Sequence, residues 1–143
     1  MQLNYVLYAS EFNSDMGYRS LNALLDVSQR NNHLHDITGF LHIEDRVVLQ
    51  YLEGPAFELG VTVDKIRRNA LHRDFSILSY GPSERRFFDG WDMALVESTT
   101  LTLSDLLGKT CSSTRELVET DPFELISLLS TNASLLQHRY SVA

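Results

Sequence analysis

The first apolar run, Leu3 to Ser10, is nearly continuous. A strand that is apolar on both faces belongs in the middle of a sheet. Phe12 to Tyr18 carries Asn13, Ser14, Asp15 and Gly17 and reads as a loop by its turn chemistry. Ser20 then caps a helix to about Asn32, with Leu21, Leu24 and Leu25 as its apolar stripe. Ile37 to Ile43 and Arg46 to Glu53 form a hairpin that turns at Glu44-Asp45. Gly54-Pro55 stops this strand and opens a second helix, Pro55 lying near its first position. That helix runs to about Asn69, with Leu59, Val63 and Ile66 at helical spacing. Phe75 to Tyr80 is a fourth strand, Gly81-Pro82-Ser83 a turn, and Arg86 to Val96 a fifth strand. The order β-α-β-β-α-β-β predicts an α+β, ferredoxin-like sheet with two helices on one face and an extra strand. Residues 1–96 thus make one domain and residues 97–143 a C-terminal helical extension. In the extension, Asp121-Pro122 opens a helix to about Gln137 with Phe123, Ile126 and Leu129 as its stripe.

Some polar residues fall where this pattern asks for apolar ones. Extending the stripe of the first helix by three and four residues lands on Ser28, Asn31 and Asn32. An Asn pair also suits a helix end, because Asn tolerates the left-handed cap conformation. That explanation covers one Asn well and the pair with Ser28 less well. On the second helix Lys65, Ile66 and Asn69 lie within about one turn. Gly60, inside it, marks a close backbone approach or is merely tolerated at a cost of about 1 kcal/mol. Gln50 alternates with Val48 and Leu52, so it shares their face of the strand. It is either a buried amide, which must find partners, or an exposed edge residue. Tyr8 poses the same question for a phenol, and Trp91 and Met93 share one face of the last strand.

Composition narrows the classes. At 143 residues, with 43% hydrophobic and 22% charged residues, the chain suffices for one globular domain with an appended element. A formal charge of −7 argues against a nucleic-acid or anionic-membrane surface. The run Lys65-Ile66-Arg67-Arg68 reads as a solvated helix face that retains a cation for a small anionic ligand. Cys111 is the one cysteine, so the chain forms no internal disulfide, and no apolar run suits a signal peptide or a membrane span. A soluble, cytoplasmic protein is expected. His33, His35, His42, His72 and His138 show no metal-pair spacing, and His33 and His35 read as surface loop residues; no metal site is expected.

Taken together, the positions resemble the BLUF family, the sensors of blue light using FAD. The matching stretches are Tyr5-Val6-Leu7-Tyr8-Ala9-Ser10, Ser28-Gln29-Arg30-Asn31-Asn32, Ile37-Thr38-Gly39, Leu49-Gln50-Tyr51-Leu52-Glu53-Gly54, and Arg86-Phe87 through Trp91-Asp92-Met93. Each is weak alone; their order and spacing over roughly residues 1–96 make the set specific. The resemblance implies a flavin ring slotted between the two helices, over the sheet. It implies Tyr8 as electron donor and Gln50 as the switching amide between tyrosine and flavin. Asn32, assisted by Asn31, would bond the polar edge of the ring. Ser28, Lys65 and Ile66 would line the slot, with Asn69 and His72 near its end, and Trp91 and Met93 would carry the signal. Where the family commonly reads Asp-x-Arg-His, this chain has Asn69-Ala70-Leu71-His72, which leaves FAD against FMN open.

A blue-light photoreceptor without an enzymatic output domain follows from that resemblance. Electron and proton transfer from Tyr8 would rearrange the hydrogen bond of Gln50, shift the flavin absorption to the red, and signal by protein–protein contact. Short proteins of this kind resemble ones that form ring-like oligomers, so the expected partners are a downstream protein and further copies of the chain. The rival readings are a flavin-dependent oxidoreductase and a light-insensitive binding module on the same fold. An acylphosphatase-like enzyme lacks a visible Gly-rich phosphate cradle.

Overall fold

The computed structural model describes residues 2–13, 17–90, 94–96, 101–108 and 113–141. Five strands, β1 (Leu3–Phe12), β2 (Thr38–Glu44), β3 (Val47–Pro55), β4 (His72–Ser83) and β5 (Ala94–Val96), form one sheet in the order β4-β1-β3-β2-β5. Helix α1 (Tyr18–Leu34) crosses from β1 to β2, and α2 (Ala56–Arg68) crosses from β3 to β4. This is the expected ferredoxin-like order. Pairing is antiparallel except where β5 joins β2 in parallel. Among the described residues three further helices follow, α3 (Leu103–Leu107), α4 (Thr114–Val118) and α5 (Pro122–Ser141).

Strands β1 and β3 are interior and buried on both faces, which accounts for their nearly unbroken apolar runs. Toward α1 and α2 point Tyr8 and Phe12 of β1 with Val48 and Leu52 of β3, meeting Leu21, Leu59 and Val63. Toward the tail point Leu7, Ala9, Leu49 and Tyr51, meeting Leu103, Leu117, Leu125, Leu128 and Leu129. The tail therefore packs on the face of the sheet that α1 and α2 leave uncovered. In α5 the packed residues are Leu125, Leu128, Leu129 and Ala133 with Ile126 partly buried against them, so Ile126 and Leu129 of the expected stripe pack, whereas Phe123 is 72% exposed.

Two sheet carboxylates fasten this tail. Glu11 accepts from the backbone N–H of Thr114 at 2.9 Å and pairs with Arg73 at 3.2 Å. Glu44 accepts from the N–H groups of Leu103 (3.0 Å) and Ser104 (3.1 Å), at the start of α3. Each carboxylate satisfies donors that a helix start leaves without intrahelical partners.

Several boundaries differ from expectation. Helix α1 begins after Gly17, with Ser20 inside its first turn and no side-chain cap, and it continues past Asn32 to Leu34. His33 and His35 accordingly belong to the helix end, not to a surface loop. The hairpin turn falls on Asp45-Arg46, where Asp45 takes a left-handed φ of 56°. Gly81-Pro82-Ser83 does not turn; it pairs with Tyr5, Asn4 and Leu3. Pro82 is tolerated there because β4 is an edge strand. Among the described residues of the expected fifth strand, Ala94–Val96 is strand and Arg86 to Gly90 is irregular.

Glycines divide sharply. A Cβ at Gly39 would collide with the carbonyl oxygen of Tyr51, so this position requires glycine. A Cβ at Gly60 would meet nothing, so the close approach considered for it is absent. Gly60→Ala is expected to raise stability by about 0.5–1 kcal/mol, read as a higher urea midpoint with unchanged slope.

His42, on the tail face of β2, is 1% exposed, and neither ring nitrogen has a hydrogen-bond partner among the described residues. Burial holds its pKa below the ordinary value, and Glu44, 3.7 Å away and beyond hydrogen-bond reach, offsets this in part. A histidine kept neutral by folding binds fewer protons than its unfolded counterpart. Its contribution to stability is complete above about pH 6.5 and is lost as pH falls toward the lowered folded pKa. His42→Leu is expected to shrink the drop in urea midpoint between pH 7.5 and pH 5.5. An undiminished drop would assign the acid sensitivity elsewhere.

Candidate functional site

Between α1 and α2, over the sheet, lies a cleft of about 160 Å³. Its floor is built by strand register. Tyr8 of β1 stands directly opposite Gln50 of β3, and Gln50 in turn faces Leu41 of β2. Alternation places Tyr8, Gln50, Leu41 and Val48 on the helix side. Because β3 is interior, Gln50 is 4% exposed, which decides for a buried amide against an edge residue. The Tyr8 hydroxyl donates to Gln50 Oε1 rather than to a backbone carbonyl. An amide that accepts through Oε1 carries its two donors on Nε2. Burial pushes the Tyr8 pKa well above the ordinary phenol value, and its ring stacks on Phe75 at 4.7 Å between centroids.

The walls come from the two helices. Asn32, 3% exposed, faces inward on the last turns of α1, while Asn31 is exposed, although both border the cleft. The Asn pair does not end the helix, since the C-cap is His35. Ser28, Leu24 and Leu25 complete the α1 wall, and Thr62, Lys65 and Ile66 supply the α2 wall. Asn69 caps the C-terminus of α2, and its Oδ1 accepts from the N–H of Leu71 at 2.9 Å. His72, at the start of β4, has Nδ1 3.0 Å from Ser10 Oγ and its ring 5.3 Å from Phe12. Burial lowers its pKa.

Tyr8, Ser28, Asn31, Asn32, Gln50, Lys65, Ile66, Asn69 and His72 therefore border one cavity. Trp91 and Met93 lie outside the described residues. Sequence reasoning missed Thr62 and His35 as lining residues. Thr62 stands three positions before Lys65, a spacing that places both on one helix face.

The chemistry of the lining suits a flat aromatic ligand with one polar edge. Leucine, isoleucine and valine side chains offer apolar faces, and the buried amides of Asn32 and Gln50 offer both donors and acceptors. A family model described as sensors of blue-light using FAD matches residues 3–94. The chain belongs to the BLUF family. Solved structures agree on the fold. BlrB, a BLUF protein in its dark state, superposes with a TM-score of 0.74 at 20% identity over 93% of this chain and 96% of BlrB. The photo-activated state of BlsA gives 0.72 at 22% identity, over 92% and 94% of the two chains. A bacterial light-regulated adenylyl cyclase gives 0.70 at 22% identity, and this chain covers 91% of itself but only 40% of that enzyme. No curated protein matches by sequence. As a BLUF protein the chain is a blue-light, flavin-dependent photoreceptor, and no helix among its described residues is long and apolar enough to cross a membrane.

Proposed function

We propose that the cleft is the flavin slot of this photoreceptor and that the buried Tyr8–Gln50 hydrogen bond is its switch. The observation that carries this reading is the direct pairing of the two side chains on the cavity floor. A bound flavin excited by blue light supplies a strong one-electron oxidant. Tyr8 is the donor: its phenol, neutral at physiological pH and made still harder to ionise by burial, carries its proton at the hydroxyl in the dark. On losing an electron the phenol becomes strongly acidic, and its proton leaves toward Gln50 Oε1. When electron and proton return, the Gln50 amide is left rotated, or as its imidic-acid tautomer, with its donor re-aimed. Asn32 holds the polar edge of the ring with help from Asn31, while Ser28, Lys65, Ile66, Asn69 and His72 line the slot.

FAD is the proposed cofactor, with FMN as the alternative. The reading gives residues 1–96 the sensor role and residues 97–143 the output role, acting on a downstream protein or further copies of the chain. Trp91 and Met93 would transmit the change. Purified protein should be yellow, and blue light should shift its absorption slightly to the red, with recovery in darkness. A colourless protein that takes up neither FAD nor FMN would overturn the proposal.

The two asparagines separate on burial. Asn32→Ala removes a buried hydrogen-bonding group worth about 1–3 kcal/mol, so the flavin dissociation constant should rise by roughly 5-fold to 150-fold. Asn31→Ala, at an exposed position, should change it far less. Equal dissociation constants for the two variants would contradict the assignment.

A further inference from the structure

The two slot helices run in opposite directions, since each returns from one of a pair of antiparallel strands. The C-terminal end of α1 therefore lies beside the N-terminal end of α2. There His35, the C-cap of α1, places Nδ1 2.7 Å from Oε2 of Glu58, in the first turn of α2. His35 also borders the cavity, and its backbone N–H donates to the carbonyls of Asn31 (3.1 Å) and Asn32 (3.2 Å). The pair thus ties the turn that carries the inward-facing amide to the opposite wall. At the far end of the cleft, the lining from α2 is Lys65, Ile66 and Asn69.

We propose that His35–Glu58 is a strap across one end of the slot, a positioning pair that fixes the spacing of α1 and α2 and so sets how long the flavin stays bound. This inference rests on the flavin reading of the cleft. Both side chains are 37% exposed, so water competes for the bond. An exposed pair of this kind changes a rate by up to roughly fivefold, not by orders of magnitude. The strap and the Tyr8–Gln50 bond on the floor are made by different residues, so the strap can be removed with the floor pair kept.

The test follows escape of flavin fluorescence after the FMN-loaded or FAD-loaded holoprotein is diluted into flavin-free buffer. His35→Ala and Glu58→Ala should each speed release by about threefold to fivefold, and the double variant should be no faster than either single one. His35→Gln, whose amide can still donate to Glu58, should restore most of the wild-type rate. Glu58 does not line the cavity, so the light-induced red shift of Glu58→Ala should keep its wild-type size, separating slot closure from photochemistry. Unchanged release in both single variants, or additive effects in the double variant, would overturn the strap while leaving the flavin reading intact. Failure of the wild-type chain to bind flavin would overturn both.

Discussion

Tyr8→Phe is expected to abolish the blue-light red shift while leaving flavin bound. Tyr8 is 1% exposed, and its ring stacks on Phe75, so phenylalanine retains the packing that fills the floor of the cleft. The substitution removes the hydroxyl that donates to Gln50, and with it both the easily oxidised phenol and the proton that would follow the electron. Gln50 Oε1 loses a buried donor, which should lower folding stability by about 1–3 kcal/mol without unfolding the chain. Gln50→Ala should silence the same response by another route, since the donor remains but the amide to be re-aimed is gone. Light-minus-dark absorption spectra of flavin-loaded variants provide the measurement. A full red-shifted state in Tyr8→Phe would show that another residue donates the electron.

The floor and one wall of the cleft were legible in the sequence because they follow periodicities. Alternation puts Gln50 with Val48 and Leu52, and helical spacing puts Asn32 on the stripe that begins at Leu21, so each appears as a polar residue out of place. Whether Gln50 was buried could not be settled from one strand. The neighbours of β3 on both sides decided it, and strand order is a property of the whole sheet. The strap from His35 to Glu58 spans 23 residues and the bond from Glu11 to Thr114 spans 103, and no local pattern marks such partners. Gly81-Pro82-Ser83 misled for the converse reason. Its residues have strong turn chemistry, but pairing with β1 along a sheet edge overrides it. Of the stripe read for α5, Ile126 and Leu129 pack and Phe123 does not, because Leu125 and Leu128 also supply that face.

The same dependence on distant partners makes Glu53 the site of the largest expected loss of stability. Its carboxylate is completely buried near the end of β3, three residues beyond Gln50. One oxygen accepts from the N–H of Phe87 at 2.7 Å, and the other from the N–H of Phe88 at 2.7 Å and from Thr38 Oγ1 at 2.9 Å. Arg86 closes the cluster, donating to Thr38 Oγ1 at 2.9 Å and to the backbone carbonyl of Asp36 at 2.8 Å. Burial raises the Glu53 pKa, and the three donors together with the Arg86 charge restrain that rise. Glu53 therefore joins β3, the start of β2 and the irregular stretch after β4 that leads on toward Trp91 and Met93. Glu53→Ala would leave the N–H groups of Phe87 and Phe88 without their acceptor. At about 1–3 kcal/mol for the buried N–H of Phe88 and less for the partly buried N–H of Phe87, the variant should lose about 2–5 kcal/mol, a large share of a domain's usual stability. Glu53→Gln keeps one acceptor oxygen but turns an amide NH₂ toward the other donors, so an intermediate loss is expected. Urea denaturation of wild type and both variants provides the comparison. A loss below about 1 kcal/mol in Glu53→Ala would mean that water or a rearranged stretch 86–88 satisfies those donors, and that the carboxylate does not hold the segment in place.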